Sequence, residues 1–337
     1  MQDTKMLRVA IVGASGHCHY VKSVSPENAA RMRVSALIAD GADAERLAKS
    51  YPDAKRYPSM GECLSCERID IAGVTPEFSH IDGTAMTCVR EHIPVFLEKP
   101  FALEWDDLVS LFELSKREHT PIYPMFDMRF SNAYFTARER VRTGAVGTPI
   151  LIGAQKSYKL GERAAFYRER ASYGGTIPWV AIHAVDFVRY VAGVNYASVT
   201  ARHTTVGNAG HGALESAAVM QFTTDEGAFV TITADYLRPK DAPSHGDDRL
   251  RIAGTKGVLE IRGEKLYCID TAGEREIALQ SPPREIFDDV IAMAEGKRDT
   301  TASAADGFYA TAIALRARES ADAMSTIDLT DAKGFLR

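Results

Sequence analysis

The chain has 337 residues, of which 45% are hydrophobic and 25% are charged, and its formal net charge is -5. This length and composition predict a globular protein with two domains. Acidic and basic residues are interspersed, and no run of Lys and Arg predicts nucleic acid or an anionic membrane surface as a partner.

The start of the chain, MQDTKMLRVAIVGASG, leads directly into a predicted strand. It has no apolar signal-peptide stretch, and no later stretch reaches about 18 apolar residues, so we expect a cytoplasmic protein. The five cysteines favour reduced thiols over a disulfide framework. Cys63 and Cys66 have the spacing of a redox pair or of half a zinc site, but no matching second pair follows, and we favour a structural role.

Short β-branched and apolar runs alternate with helical patterns over the first 125 residues. The runs predict strands at 8–12, 34–39, 69–74, 95–97 and 122–126, and the segments between them predict helices at 16–25, 43–50, 59–66, 80–91 and 105–118. This alternation is typical of βαβ units and predicts a doubly wound parallel sheet. Ligands of such a sheet bind at the carboxyl ends of its strands.

The pattern changes after a predicted helix at 132–143. Partial alternation then predicts strands at 149–159, 197–206, 213–223, 227–236, 249–253 and 257–261, and the tail predicts helices at 284–295 and 303–323. The longer alternating runs favour a mainly antiparallel sheet with one face covered. The fold class is therefore α/β, with a Rossmann domain at 1–125 and an α+β domain at 126–337.

A glycine-rich turn follows the first predicted strand. It reads Gly13-Ala14-Ser15-Gly16-His17-Cys18 and is an imperfect form of the dinucleotide fingerprint GxGxxG. Gly13 supplies the tight turn, while Ser15 and Cys18 stand where the second and third glycines are usual. Because a helix N-terminus offers unpaired N–H groups, we expect pyrophosphate to bind at this turn.

Asp40 ends the second predicted strand, roughly 20 residues beyond the glycine-rich turn, where a carboxylate can accept hydrogen bonds from ribose hydroxyls. An ordinary strand-ending turn is the alternative. Residues 41–44 include no Arg or Lys for a 2′-phosphate, so NAD is favoured over NADP. His17 and His19 flank Cys18, but this spacing directs the side chains to different sides of a helix, and we predict no metal site.

Two polar segments follow apolar strands and are expected at the same edge of the sheet. They are TPEFSH, which begins at Thr75, and EKP, which begins at Glu98. A lysine at the end of a buried strand can donate a hydrogen bond to a substrate oxygen, and partial desolvation can lower its pKa. Lys99 is therefore a candidate catalytic residue, with a solvated loop lysine as the alternative.

Six segments together, in order and spacing, resemble the Gfo/Idh/MocA oxidoreductases, the family of glucose-fructose oxidoreductase and inositol dehydrogenase. They are GASGHC, TPEFSH, FLEKP, FDMRF, the segment GG followed by HAVD, and RIAGTKGVLEI. The resemblance covers nearly the whole chain. It implies NAD(P)-dependent dehydrogenase chemistry on the CH–OH groups of sugars, sugar acids or cyclitols. It also implies an open C-terminal sheet that packs against a partner subunit in a homodimer or homotetramer.

The resemblance also implies residue roles. Lys99 would bind the reacting oxygen and the nicotinamide region, Glu98 would position its own loop, and Arg129 would close the site, contacting both cofactor and substrate. The implied cofactor-binding set is Gly13, Ser15, Gly16, His17, Asp40, Thr75, Pro76, His80, Glu98, Lys99 and Arg129.

The sequence departs from the usual family pattern GGGxxxDxGxH. When the histidine of that pattern is aligned with His183, Trp179 stands at the aspartate, and Ala181 and Tyr173 stand at two of the glycines. The usual Lys-Asp-His set is thereby reduced to Lys99 and His183, which we predict to be the catalytic pair, with His183 carrying the proton. Glu77, at a position often held by asparagine, places one cofactor contact in doubt.

Residues 179, 183 and 186 follow helical spacing and are expected on adjoining faces. Trp179 would stack on a sugar ring, and Asp186 would orient the imidazole of His183. Core packing of Trp179 and His183 is the alternative. Further polar residues are either substrate contacts or solvated loop residues: Tyr158, Arg163, Tyr167, Arg238, His245 and Asp248. The predicted substrate-binding set is Lys99, Arg129, Tyr158, Trp179, His183 and His245.

Three functions are consistent with these features. The first is an NAD-dependent oxidoreductase with net hydride transfer. The second is a redox-neutral lyase or epimerase that oxidises a sugar transiently and returns the hydride. The third is a non-enzymatic NAD-binding sensor, against which the retention of Lys99 and His183 argues.

Overall fold

The computed structural model describes residues 6–336, which divide into two compact units. Unit 1 contains the chain up to Met125 and the segment Pro283–Phe308. Unit 2 contains Phe126–Pro282 and the chain from Tyr309 onward. The predicted second domain ran without interruption over 126–337, whereas in the structure residues 283–308 belong with unit 1.

Unit 1 is built on a six-stranded parallel sheet with the order β3-β2-β1-β4-β5-β6. The strands are β1 Leu7–Val12, β2 Met32–Ile38, β3 Lys55–Tyr57, β4 Ile71–Val74, β5 Val95–Leu97 and β6 Ile122–Pro124. Every residue of β4 and β5 is buried, because helices cover both faces of a doubly wound sheet. The predicted doubly wound parallel fold is confirmed, and the chain order reverses between β1 and β4, where such sheets bind their ligands.

The helices of unit 1 follow the predicted alternation with one exception. They are α1 Pro26–Ala29, α2 Gly41–Ser50, α3 Met60–Cys66, α4 Ile81–Arg90, α5 Trp105–Arg117 and, much later in the chain, α9 Ile286–Ala294. The predicted helix at 16–25 is wrong: the segment holds a short 3-10 helix at Cys18–Lys22. A new helix then starts at Pro26, because Ser25 caps the N–H of Asn28 and proline is well suited to the first helical position.

Two adjacent carboxylates of α9 attach the segment 283–308 to unit 1. Asp288 Oδ1 accepts hydrogen bonds from Ser25 Oγ at 2.8 Å and from Asn28 Nδ2 at 2.7 Å. Asp289 is fully buried, and its Oδ2 accepts from Tyr123 Oη at 2.8 Å. These contacts join residues more than 160 positions apart in the chain, which is why periodicity alone did not assign α9 to the first domain.

Unit 2 is built on a nine-stranded sheet with the order β14-β13-β12-β11-β7-β10-β9-β8-β15. The strands are β7 Pro149–Lys159, β8 Tyr196–Thr204, β9 Ala217–Thr224, β10 Phe229–Arg238, β11 Gly246–Gly254, β12 Val258–Arg262, β13 Lys265–Asp270, β14 Gly273–Ile277 and β15 Thr326–Asp328. Only β7 and β10 pair in parallel; the other pairs are antiparallel, which confirms the predicted mainly antiparallel sheet.

One face of this sheet is covered and the other is open. Buried and exposed residues alternate along β10, and α8 packs on β7 while α6 contacts β12 and β13. The helices of unit 2 are α6 Asn132–Arg142, α7 Arg170–Tyr173 and α8 Ile182–Ala192, and α10 Ala304–Ala323 crosses the division between the units. Among residues 6–336, no helix is long and apolar enough to span a membrane.

The strand predictions were incomplete. Strands β3, β13, β14 and β15 were not predicted, and three of these four have five or fewer residues. The connection between the predicted strands 227–236 and 249–253 is shorter than these bounds indicate, because β10 continues to Arg238 and β11 begins at Gly246. Arg238 Nε closes the remaining turn by donating to the carbonyl of Ser244 at 2.9 Å.

Candidate active site

The glycine-rich turn of unit 1 is fixed between the ends of β1 and β4. Ser15 N–H donates to the carbonyl of Thr75 at 2.9 Å, and Thr75 Oγ1 donates to the carbonyl of Gly13 at 2.9 Å. Gly13 has a φ of +72°, and a Cβ there would lie 2.3 Å from the Cα of Pro76. Only glycine fits this position, because a side chain would be strained and would collide with backbone.

Glu98 links the glycine-rich turn to the end of β5. The side chain is fully buried, and its Oε2 accepts from the N–H of His17 at 2.5 Å and lies 2.8 Å from His17 Nδ1. Its Oε1 accepts from the N–H of Lys99 at 2.9 Å. Burial opposes the charge of Glu98, but His17 and Lys99 outweigh it and hold the pKa of this carboxyl below its ordinary value. Glu98 is therefore a buried carboxylate that fixes both the glycine-rich turn at His17 and the backbone of Lys99 after β5.

Lys99 lies at the carboxyl end of β5 and is 1% exposed. The side chain belongs to unit 1 and follows the strand Val95–Leu97, whose residues are all buried. A lysine is almost never this deeply buried unless its charge has partners. The structure thus rules out the solvated loop lysine that was the alternative for this residue.

Asp40 and His80 lie at exposed positions next to the carboxyl ends of β2 and β4. Asp40 precedes α2 and His80 precedes α4, and neither side chain caps its helix. Gly13 N–H donates to the carbonyl of Ile38 at 2.8 Å, which brings the end of β2 against the glycine-rich turn. The exposed carboxylate of Asp40 is therefore available to a ligand at this edge of the sheet.

The sequence did not predict a contact between α2 and the glycine-rich turn. Arg46 Nη2 donates to the carbonyl of Ala14 and also pairs with Asp43 Oδ1 at 3.0 Å. Asp43 Oδ2 in turn lies 3.4 Å from Ser15 Oγ. The prediction considered only residues 41–44 for a cationic group, whereas Arg46, two residues further along α2, reaches the turn. Its i,i+3 spacing from Asp43 was the available signal.

In unit 2, a buried carboxylate fixes the segment that precedes His183. Glu215 Oε2 accepts from the N–H of Thr176 at 2.9 Å, and Glu215 Oε1 pairs with Arg170 at 2.6 Å. Gly175 lies next to these groups with a φ of +112°, a conformation that strains any residue with a side chain. Gly174 ends α7 in the left-handed conformation, so each of the two glycines has a backbone requirement.

The segment that follows is a π-helical turn, Ile177–Ala181, which continues directly into α8. Such turns are rare and frequently occur at functional sites. Trp179 in this turn is 7% exposed, and its ring meets that of Tyr167 edge to face at 6.4 Å. His183 in α8 is 2% exposed, and its Nδ1 lies 3.8 Å from Asp127 Oδ1. Both predicted side chains are thus buried residues of unit 2.

Arg129 and Asp186 form a buried ion pair. Arg129 Nη2 donates to Asp186 Oδ1 at 2.6 Å, and its Nε donates to Asp186 Oδ2 at 3.0 Å. The guanidinium also lies over the ring of Tyr190 at 5.1 Å. Asp186 was expected to orient His183, but the structure places its carboxylate on Arg129, and the carboxylate near His183 Nδ1 is Asp127. The pair gives Arg129 a structural function that the sequence did not predict.

Unit 2 also contains a cavity of about 820 Å³ on the covered side of the sheet. Tyr158, Arg238 and Asp248, all candidates from the sequence, line this cavity. Tyr158 stacks on His245 with ring centres 5.0 Å apart. Burial, followed by the charges of Arg163 and Lys159, lowers the pKa of His245, so this imidazole is neutral at pH 7. Arg163 lies over the ring of Tyr236 at 4.7 Å.

Sequence reasoning missed several lining residues of the cavity, among them Asp127, Tyr134 and Lys156. Asp127 is the second residue of the FDMRF segment that carried the resemblance, and it was interpreted only as part of that motif. Tyr134 lies in a helical pattern, where a tyrosine indicates core packing. Lys156 lies in an alternating strand on the covered face, and a lysine on that face was the signal that could have identified it.

Comparison with known proteins assigns both halves of the chain. Residues 7–126 match the model of the oxidoreductase family with an NAD-binding Rossmann fold, and residues 134–260 match the GFO/IDH/MocA C-terminal domain. A solved oxidoreductase-like structure from Thermotoga maritima is 34% identical, covers 96% of this chain and 100% of that chain, and superposes with a TM-score of 0.90.

Curated relatives match at lower identity. An uncharacterized oxidoreductase from Synechocystis is 24% identical over 57% of this chain and 53% of that protein, so the match spans about half of its length. The NAD(+)-dependent scyllo-inositol 2-dehydrogenase of Bacillus subtilis is 26% identical over 65% of this chain and 62% of that protein. With both family models matched and a relative above 30% identity along nearly the full chain, this protein belongs to the Gfo/Idh/MocA family of NAD-binding oxidoreductases.

Proposed function

We propose that this protein transfers a hydride between NAD and a carbinol carbon of a sugar, sugar acid or cyclitol, with Lys99 binding the reacting oxygen and His183 carrying the proton. One observation carries the proposal. Glu98 is hydrogen-bonded both to His17 of the glycine-rich turn and to the backbone of Lys99, so a buried lysine is fixed directly beside the nucleotide-binding turn. In this arrangement a charged donor and a dinucleotide site share one edge of the sheet.

The residues of unit 1 fit NAD. The glycine-rich turn lies at the point where the strand order reverses, and the exposed carboxylate of Asp40 lies at the end of the adjacent strand. Backbone N–H groups of residues 13–16 would hold the pyrophosphate, and Asp40 would accept hydrogen bonds from the ribose. When bound, NAD supplies the hydride acceptor or donor at C4 of its nicotinamide.

The protein side chains handle the oxygen and the proton. The ammonium of Lys99 donates a hydrogen bond to the substrate oxygen and stabilises negative charge that develops there. His183 takes the hydroxyl proton during oxidation and returns it during reduction. Asp127 lies 3.8 Å from His183 Nδ1 and its side chain is 35% exposed, so it offers this proton a route to solvent.

The names of the relatives favour cyclitols within this substrate class. Inositol 2-dehydrogenase of Corynebacterium glutamicum is 21% identical over 68% of this chain and 67% of that protein. The Bacillus subtilis relative acts on scyllo-inositol with NAD(+). Inositols carry secondary hydroxyls of the kind that the proposed Lys99 and His183 chemistry requires, and we place them first among the substrates to be tested.

A substrate panel tests this function. Purified protein is mixed with cyclitols, sugars and sugar acids and with NAD or NADP, and the absorbance of the reduced nicotinamide is followed. We expect substrate-dependent formation of NADH and much slower formation of NADPH, because Asp40 would repel a 2′-phosphate. Wild-type protein that binds NAD but leaves every polyol unchanged would indicate the sensor function instead.

The same panel separates net oxidation from redox-neutral chemistry. A lyase or epimerase would convert the sugar, as followed by NMR of the products, without accumulating NADH. Products that form in proportion to NADH support the oxidoreductase, whereas products without NADH overturn it. The two results differ in the ratio of product to NADH, and this ratio is measured in one sample.

We also propose that unit 2 forms homo-oligomers through the open face of its sheet. Four large apolar side chains on this face are 40% to 59% exposed: Leu151, Val219, Phe229 and Leu237. Phe229 and Leu151 are neighbours across the paired strands β10 and β7. Large apolar side chains exposed on one face of a sheet support an association surface, and the resemblance to the family implies a dimer or tetramer through this sheet.

Substitution of Phe229 tests the association surface. Phe229→Asp should lower the molar mass in solution from that of an oligomer to that of one chain, because a carboxylate would be buried against apolar side chains. The mass is measured by light scattering after size exclusion. Val206→Asp is the matched control, since Val206 is 79% exposed and lies outside the strands of the sheet. A wild-type protein that is already monomeric would contradict the proposal.

A further inference from the structure

The 820 Å³ cavity of unit 2 contains polar groups that the proposed chemistry at Lys99 and His183 does not use. Tyr134 from α6, Lys156 from β7 and Asp248 from β11 all line it. Asp127, which approaches His183 Nδ1 at 3.8 Å, lines the same cavity. The cavity therefore adjoins the imidazole that is proposed to carry the proton.

Lys156 and Asp248 form an ion pair that leaves one carboxylate oxygen unused. Lys156 is 3% exposed, and its Nζ donates to Asp248 Oδ2 at 2.5 Å. Its other hydrogen-bond contact is a weak one, 3.8 Å from Met128 Sδ. Asp248 Oδ1 is buried and has no hydrogen-bond partner within residues 6–336. A buried carboxylate oxygen in this position is an acceptor that receives no donor from the described residues and can accept one from a ligand.

Tyr134 supplies a second unused group to the same cavity. Its side chain is only 3% exposed, and its ring packs against Phe187 with ring centres 4.8 Å apart. Its hydroxyl is also buried without a hydrogen-bond partner in the described part of the chain. Burial and, secondarily, the charge of Asp248 raise the pKa of Tyr134 well above its ordinary value, so the phenol keeps its proton. Tyr134 can therefore donate a hydrogen bond to a ligand in the cavity.

We propose that Tyr134, Lys156 and Asp248 form a subsite that binds a substrate hydroxyl and selects neutral polyols over sugar acids. The proposal rests on the proposed function and narrows its substrate class. Because a hydroxyl both donates and accepts, the hydroxyls of a polyol can supply a proton to Asp248 Oδ1 and a lone pair to the Tyr134 hydroxyl, both in residues that line the cavity. Neither an aliphatic group nor a carboxylate satisfies both groups at once.

The charges of the cavity wall support the same selection. Four carboxylates and two cations line it: Asp127, Asp247, Asp248, Glu264, Lys156 and Arg238. Lys156 is already paired with Asp248, and Arg238 lies 3.6 Å from Asp247. A substrate carboxylate would meet excess negative charge, and like charges at this range repel in a partly desolvated site. Neutral cyclitols and sugars carry no such penalty.

Two conservative variants test the subsite: Tyr134→Phe and Asp248→Asn. For a neutral polyol, we expect Tyr134→Phe to raise KM about 3- to 10-fold and Asp248→Asn to raise it about 10- to 100-fold, with kcat changed less than about 3-fold. Tyr267→Phe and Asp270→Asn are the matched controls, because both lie on β13 and neither lines the cavity. A KM that stays at the wild-type value in both cavity variants would overturn the subsite and leave the proposed function standing.

Binding measured without turnover makes the test independent of the reaction. Calorimetry compares myo-inositol and glucitol with gluconate, in the presence of NADH, which cannot accept a hydride from a polyol. We expect the neutral polyols to bind at least about 10-fold more tightly than gluconate. Tighter binding of gluconate than of the neutral polyols would overturn the proposed selectivity. If the wild-type protein binds no polyol, both the subsite and the proposed substrate class are wrong. Binding of polyols without any turnover would count against the proposed oxidoreductase function alone.

Protein stability separates a ligand-binding role from a packing role. Tyr134→Phe removes a hydroxyl that has no partner in the described chain, so its Tm should equal or exceed that of the wild type. A variant that loses polyol affinity at unchanged Tm supports the subsite. If Tyr134→Phe lowers Tm and affinity together, the hydroxyl has a structural function and the subsite as proposed is wrong.

Discussion

Replacement of Lys99 by methionine is expected to lower kcat for polyol oxidation by about 10²- to 10⁴-fold, the range for loss of one positioned acid–base or charged group. Methionine approximates the length of the lysine stem but donates no hydrogen bond to the reacting oxygen. Because Lys99 is 1% exposed and follows a fully buried strand, the substitution should preserve packing. Stopped-flow or steady-state measurement of NADH formation gives the rate.

The affinity for NAD separates this expectation from a general defect. The glycine-rich turn is held by Glu98 and Thr75, so the Lys99→Met variant should still bind NAD, with a Kd within about 10-fold of the wild-type value after loss of the one predicted contact to the nicotinamide region. Lys55→Met is the control, since Lys55 is 71% exposed in a surface pair with Glu67. If Lys99→Met retains the wild-type kcat, Lys99 does not bind the reacting oxygen and the proposed site is wrong.

Asp186→Ala is expected to lower the free energy of unfolding by about 3–5 kcal/mol, because it removes the carboxylate partner of a buried guanidinium. Arg129 and Asp186 are both about 3% exposed and are joined by a bidentate contact. Urea unfolding followed by circular dichroism measures the change, and an unchanged m value shows that it reflects stability.

Two further variants define the origin of this loss. Glu319→Ala, in an exposed i,i+3 pair with Arg316, should cost less than about 1 kcal/mol. The double variant Arg129→Met with Asp186→Leu should recover most of the stability lost in Asp186→Ala, because it leaves no buried charge. A loss below about 1 kcal/mol in Asp186→Ala would show that Arg129 is stabilised by other groups.

Trp179 stands at the aspartate of the family pattern that the resemblance supplied, and the structure shows its surroundings. The indole is 7% exposed in a π-helical turn that Glu215 fixes from the preceding segment. A carboxylate is nonetheless close to His183, because Asp127 comes from the segment that follows β6.

Local sequence patterns determined the fold class and the nucleotide turn. Buried parallel strands such as β4 and β5 appear in the sequence as short apolar runs. The glycine directly after β1 predicts a tight turn, and Gly13 has a φ of +72°, which favours glycine. Lys99 was identified in the same way, as a charge directly after an apolar run. Each of these signals lies within about ten residues of chain.

Other features depend on contacts between distant segments, and only the tertiary structure decided them. Glu98 meets His17 across 81 residues, and Arg129 meets Asp186 across 57. Lys156 meets Asp248 across 92 residues, on strands whose pairing the sequence does not state. The sequence alone thus determined which residues carry charge near strand ends. The tertiary structure decided which charges neutralise each other and which polar groups remain for a ligand, because burial and pairing depend on strand order and register rather than on neighbours in the chain.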